Sequence, residues 1–175
     1  MPATSLAKRL ARLLAVASLL NACTGVLRPD TTERINDYLE RRDREHAPNP
    51  PSPYFESEKR LWQDEPQYVA LLEGPPPAKR MRLISAVAPD YPLRLRLAHV
   101  GARVILVSFI VGTDGQVEAA RILESSDERF NESALNAIRR FTFLPPQGPQ
   151  GPTREIAFVP FDFAWSHKAA AATSH

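Results

Sequence analysis

The chain has 175 residues and a formal net charge of +2, enough for one domain with a tail. Lys8, Arg9 and Arg12 precede Cys23 with no acid among them, so the remainder carries no basic excess and lacks the electrostatic footprint of a nucleic-acid binder. Cys23 is the single cysteine, which excludes a disulfide within the chain.

Residues 1–22 open on those cations and continue into an apolar run, Leu13 to Leu20, that is too short to cross a bilayer as a helix. This is the pattern of an export signal. It ends in Leu20, Asn21, Ala22 and Cys23, which resembles the lipobox of bacterial lipoproteins, in which the cysteine becomes the acylated first residue. A plain secretory signal, or a buried core cysteine, is the alternative. An acylated Cys23 implies a tether to the membrane, since each buried methylene contributes about 0.8 kcal/mol. Thr24 in place of aspartate favours the outer membrane under the sorting rule of many such lipoproteins.

Residues 23–80 form a proline-rich tail with two helical stretches. Asp30 is placed to cap the first, with Glu33 three residues on and Ile35, Tyr38 and Leu39 making a narrow apolar face up to about His46. The default reading is a solvated helix; the rival is a small contact with the domain or a partner. Pro48, Pro50, Pro51 and Pro53 then make a stiff link. Tyr54 to Glu73 follows, interrupted at Pro66, and its Phe55, Leu61, Trp62, Tyr68, Val69, Leu71 and Leu72 are too apolar for a free linker. Lys79, Arg80 and Arg82 form a basic patch after Pro75, Pro76 and Pro77. Residues 24–80 would reach about 200 Å fully extended, and about 120 Å with both helical stretches formed.

The folded domain is expected over 81–165. Ala102 to Val111 is rich in β-branched residues and reads as a strand, Gly112 to Gly115 as a turn, and Gln116 to Ser125 as the returning strand of a hairpin. Phe130, Ala134, Leu135, Ile138 and Phe141 share one helical face, with Asn131 as the expected N-cap and Phe130 and Leu135 spaced as a hydrophobic staple. Pro145 and Pro146 end that period. Arg154 to Trp165 reads as a last strand, with Ala157, Val159, Phe161 and Phe163 on one face and Ile156, Phe158 and Pro160 on the other. Pro160 cannot donate to a ladder and places this strand at a sheet edge. Residues 166–175, with Ala169 to Ala172, read as a disordered end.

In the first strand Ile105, Val107, Phe109 and Val111 alternate with Val104, Leu106 and Ile110, so both faces of the sheet want cover. Leu61, Trp62, Val69 and Leu72 are expected on the second face; a homodimer burying the same surface is the rival. No catalytic or metal chemistry is expected. His46, His99, His167 and His175 are scattered without ligand spacing, and Ser125 and Ser126 lack the glycine-flanked elbow of a nucleophile. No cofactor is expected either.

Tyr91 and Pro92, the alternation Ile105, Val107, Phe109, Val111, the Asp114 and Gly115 turn, Val117, Ile122, Ser125, Ser126, Ala134, Leu135, Ala137, Phe143, Pro145 and the closing Val159, Pro160, Phe161, Phe163 together resemble the TonB C-terminal domain. That family supplies the periplasmic module of energy transducers for outer-membrane receptors. The resemblance implies an α+β fold, a three-stranded antiparallel sheet with two helices on one face. It also implies that a short extended segment of a receptor pairs with the sheet edge at Arg154, Glu155, Ile156, Ala157, Phe158 and Val159, flanked by Asp90, Tyr91 and Pro92. The opposite reading of the edge is that Pro160 and Glu155 block strand addition. The transmembrane helix with Ser and His that couples family transducers to their motor has no counterpart in residues 1–22, and Arg103 stands where the family often has glycine. The reading is therefore an envelope lipoprotein whose domain binds an extended partner segment in transmembrane transport. The alternative is a structural envelope lipoprotein whose domain dimerises or packs on its own tail.

Overall fold

The computed structural model describes residues 32, 33, 35–37, 39, 40, 54–98 and 100–163. The export signal, Cys23, the Asp30 cap, Tyr38, the proline link at 48–53 and the end from 164 onward lie outside the described residues. Among these, α1 (Phe55–Leu61) and α2 (Pro66–Glu73) precede β1 (Arg82–Ser85), α3 (Leu93–Leu97), β2 (Arg103–Val111) and β3 (Val117–Ser125). A 3₁₀ turn (Glu128–Phe130) leads into α4 (Asn131–Ile138), followed by β4 (Thr142–Leu144), β5 (Gln147–Gly148), β6 (Gly151–Pro152) and β7 (Glu155–Phe163). No helix among the described residues is long and apolar enough to cross a membrane.

The main sheet is three-stranded and antiparallel in the order β3, β2, β7, and two small ribbons, β1 with β4 and β5 with β6, stand beside it. The β-branched run of β2 suits a central strand, because its side chains meet cover on both faces. On one face Ile105, Val107, Phe109 and Val111 join Ala157, Val159, Phe161 and Phe163 of β7 in a buried cluster with Leu95 of α3 and Ala134, Ala137 and Ile138 of α4. This is the α+β arrangement expected, with two helices on one side of the sheet. Gly115 makes the hairpin turn at φ 81°, and a Cβ there would stand 2.0 Å from the Phe143 carbonyl oxygen, so glycine is required twice over.

The helix entry differs from the expected one. Asn131 already has helical φ and ψ of −58° and −46°, because the chain winds into α4 through the 3₁₀ turn. Capping falls to Asp127, whose carboxylate accepts from the Arg129 backbone N–H. Asn131 Oδ1 instead accepts from the Ser125 hydroxyl at 2.6 Å. The Arg129 guanidinium, then the Arg129 backbone N–H and Arg103, hold the Asp127 carboxyl down to about 2.

Two stretches upstream of β1 complete the packing. Ile35 and Leu39 are buried in the same cluster as α4, so the solvated-helix reading of that stretch gives way to its rival, contact with the domain. Asn36 explains why the contact is specific: its amide donates to the Leu83 carbonyl at 3.1 Å and its carbonyl accepts from the Leu83 N–H at 2.7 Å. One side chain thereby satisfies the outer backbone pair of β1 as a neighbouring strand would.

On the other face Trp62, fully buried, packs with Ile110, Ile156, Leu61, Val69, Leu71 and Leu72. The contact is polar at its centre. Trp62 Nε1 donates to the Ser108 hydroxyl at 3.1 Å, and that hydroxyl donates to Glu58 Oε1 at 2.9 Å. Arg121 of β3 closes the rim, lying 4.6 Å over the Trp62 ring, bound to the Leu61 carbonyl and paired with Asp64 at 2.7 Å and Glu65 at 2.6 Å.

Trp62→Ala is expected to cost about 3–5 kcal/mol, the range for deleting a large buried aromatic, read as a lower urea midpoint. A chain starting at Met81 exposes Leu106, Ile110, Ile156 and Phe158 together and is expected to self-associate in sedimentation, whereas the chain that includes α1 and α2 stays monomeric.

Candidate functional site

The strand order leaves two edges on the main sheet, and they are not equivalent. β3 meets β2 with two register shifts, between Leu106 and Val107 and between Ile110 and Val111, and Gln116 at its start bridges to Thr142. Bulges twist an edge away from an incoming strand. β7 pairs with β2 over all nine residues without a shift, from Arg103 opposite Phe163 to Val111 opposite Glu155. No other strand lies beside β7 among the described residues.

The direction of the backbone groups along β7 follows from the pleat. The Val104 carbonyl accepts from Ser126 N–H on the β3 side, so the odd-numbered residues of β2 turn their backbone groups to β7. Their partners Glu155, Ala157, Val159, Phe161 and Phe163 spend their groups inward, and the backbones of Ile156, Phe158, Pro160 and Asp162 turn outward. Pro160 therefore costs the β2–β7 ladder nothing, and its missing N–H interrupts only what the outer edge can offer.

The side chains predicted to meet a partner have other tasks. Ala157 and Val159 are buried toward α4, while Ile156 and Phe158 are buried toward α1 and α2, Phe158 lying edge-on to Tyr54 at 5.2 Å. Glu155 is buried as well, its carboxylate accepting from Met81 N–H at 2.8 Å and pairing with Arg80 at 2.5 Å. Arg154 reaches across β2 to Glu118 of β3 at 2.7 Å, over solvent.

Tyr91 is also internal. Its hydroxyl donates to the Val100 carbonyl at 2.8 Å and its ring meets Phe130 and Phe163 edge-on at 5.1 and 6.4 Å. Asp90 is exposed and its carbonyl accepts from the Ser133 hydroxyl; Pro92 is half-buried and precedes α3. The structure thus divides the predicted residues between the two ends of β7. Asp90, Tyr91 and Pro92 stand over its last residue, Phe163, and Arg154 and Glu155 stand at its first, about 27 Å away along the strand. They do not form one pocket.

One residue of β7 was not singled out from the sequence. Asp162 is half-buried with Oδ1 lacking a hydrogen-bond partner among the described residues, and burial pushes its carboxyl up. The visible signal was a lone acid inside the apolar run Ile156 to Phe163. No group of acids, histidines and cysteines among the described residues has the arrangement of a metal site.

Comparison with known proteins gives these features a family. Residues 87–165 match the family model described as the Gram-negative bacterial TonB protein C-terminal. That stretch is a TonB C-terminal domain, of a family whose domains work in the periplasm and interact with outer-membrane receptors. The solution NMR structure of the Pseudomonas aeruginosa TonB C-terminal domain is similar at 20% identity and a TM-score of 0.41, over 47% of this chain and 84% of that one. No curated protein matches the chain.

Because burial raises the folded-state value of Asp162, its protonated form fits the fold better, an advantage complete below the ordinary value of 3.8 and lost as pH rises through the folded-state value. Asp162→Asn is expected to raise the melting temperature at pH 7 and to make no difference at pH 3, as thermal unfolding at the two pH values will show.

Proposed function

We propose that the chain is an envelope lipoprotein, acylated at Cys23, whose TonB C-terminal domain binds an extended segment of an envelope partner by adding it as a fourth strand beside β7. The partner class is a TonB-dependent outer-membrane receptor. One observation supports the choice of edge over any other: β7 is a nine-residue strand in unbroken register, whereas β3 is bulged twice. An extended peptide beside it would gain main-chain hydrogen bonds, each contributing about 0.5–1.5 kcal/mol net.

The burial of Ile156, Ala157, Phe158 and Val159 sets the character of that binding. Recognition is led by the backbone, with side-chain selectivity left to the strand ends, where Asp90 and Arg154 are exposed. The Pro160 gap divides the ladder into a stretch at Ile156 and Phe158 and a second at Asp162. Such a site favours transient partners with dissociation constants between about 1 µM and 1 mM.

Glu155 does not act as the guard at the edge that the opposing reading requires, because its carboxylate is turned to Met81 and Arg80. Of the alternative, a structural lipoprotein whose domain dimerises or packs on its own tail, the packing of Trp62, Val69 and Leu72 with Ile110 and Ile156 favours the second arm and removes the motive for the first.

Titrating the 24–175 chain with peptides from the periplasmic N-termini of outer-membrane receptors of the same bacterium tests the reading by NMR. Amide shifts concentrated on Ile156, Phe158 and Asp162 are expected, and they should weaken about tenfold in affinity with N-methylated peptides that cannot complete the ladder. Shifts confined to β3, or none at millimolar peptide, overturn it.

A further inference from the structure

Three large apolar side chains stand exposed among the described residues, and two of them, Ile84 at 54% and Leu144 at 49%, belong to the β1–β4 ribbon. Leu144 stands on its outward face, and Ile84 stands exposed at the irregularity between Leu83 and Ser85. Leu83 and Phe143 are opposite each other and buried in the core, so the neighbours Arg82 and Leu144, also opposite each other, point away from it. Arg82 and Lys79 are exposed and line one groove with Leu144; Glu40 is the single acid on that groove. Arg80, the third cation of this run, is neutralised by Glu155. A ribbon with exposed branched apolar tips beside two cations suits a phospholipid surface: the tips would enter the headgroup boundary and the cations would meet the phosphates.

The route of the chain supports the same occupant. Asn36 fastens its own stretch of chain to Leu83 of this ribbon, at its outer backbone edge. Between Cys23 and residue 32 there are too few residues to reach further than about 30 Å fully extended, against the about 200 Å available had 24–80 been free. An anchor at Cys23 therefore enters the domain beside β1 and holds that ribbon nearest the bilayer.

We propose that the outward face of the β1–β4 ribbon, with the exposed Ile84 and Leu144 beside the cations Lys79 and Arg82, docks on the anionic phospholipid surface in which the chain is anchored. The geometry of this docking rests on the anchoring at Cys23 proposed above. It turns the ribbon to the membrane, so that the domain works at the surface of its own membrane.

The mature chain 23–175 can be coupled through its single thiol to maleimide-bearing lipid, which fixes the attachment point whether or not the protein is acylated in the cell. Ile84→Trp supplies a probe at the patch and Glu118→Trp one on β3; the coupled parent chain gives the background from Trp62 and Trp165. In vesicles containing phosphatidylglycerol with brominated acyl chains, the probe at 84 is expected to be quenched at least about twofold more than the probe at 118. The difference should disappear with Lys79→Glu and Arg82→Glu together, or without phosphatidylglycerol, with far-UV circular dichroism unchanged. Equal quenching at the two positions, quenching indifferent to charge reversal, or a dimer that shields Ile84 in sedimentation each overturns the docking. Palmitate labelling in cells reads the anchoring separately: a chain that docks in vesicles but takes up no label keeps the patch and removes the lipoprotein reading.

Discussion

A serine in the middle of an apolar strand decides how much of this chain is domain. Ser108 is fully buried on the central strand, and both of its hydrogen-bond partners, Trp62 and Glu58, come from the helical hairpin upstream of the family match. Without that hairpin, a hydroxyl would be left on a greasy sheet face, and Leu106, Ile110, Ile156 and Phe158 would be open to water around it. With it, Trp62 becomes the centre of a second core, roofed by the Arg121 guanidinium and its two acids. The buried polar chain sets the register of the helix on the sheet, since Glu58 and Trp62 are four residues apart and only one rotation of α1 brings both to the same hydroxyl. What composition marks as a tail is, by its packing, the third layer of the fold.

The fold was largely legible because β2 and β7 obey a period of two and α4 a period of 3.6, and because Gly115 and Pro160 admit few placements. The need to cover both sheet faces could be read from the even-numbered residues of β2. Ser108 was the interruption in that set, and it was the clue to where the covering segment would be anchored. The cap of α4 was misread because Asn131 is a good cap in isolation; the 3₁₀ turn that moves capping to Asp127 depends on Arg129 and on Arg103 from β2, a contact no local rule contains. The docking of Ile35 and Leu39 stood only as the rival reading for a related reason. Three apolar residues among many charges do not make a buried helix, and it is the pairing of Asn36 with Leu83, 47 residues away, that fixes the contact.

The site was less legible than the fold. Sequence places Ile156 to Val159 on an edge, and they are there, but it does not say that every one of those side chains is already engaged within the chain. An edge strand covered on both faces offers only its rim. Tyr91 illustrates the converse, since its position beside the edge invites a contact role while its hydroxyl and ring are committed to Val100, Phe130 and Phe163. Asp162, in contrast, has an oxygen shut away without a partner at the far end of the same strand. Its desolvation as a carboxylate lowers stability more than that of a neutral asparagine would, and this places an unsatisfied polar group of β7 next to the outward-turned stretch beyond Pro160.

The proposed backbone-led recognition and the proposed short leash belong together. A ladder interrupted by proline, with no deep pockets to add affinity, holds a peptide only weakly, and a domain free in the periplasm would seldom be found occupied. Fastening the domain close to a membrane changes the relevant quantity from affinity to local concentration, because a partner embedded in the same bilayer presents its extended segment within a volume set by the tether. The Asn36 clasp shortens that tether from the domain side, as the proposed anchor does from the membrane side. Under the proposed function, the two constraints would narrow the partners to those whose segments pass near the same surface, so selectivity that the buried side chains of β7 cannot supply would come from geometry.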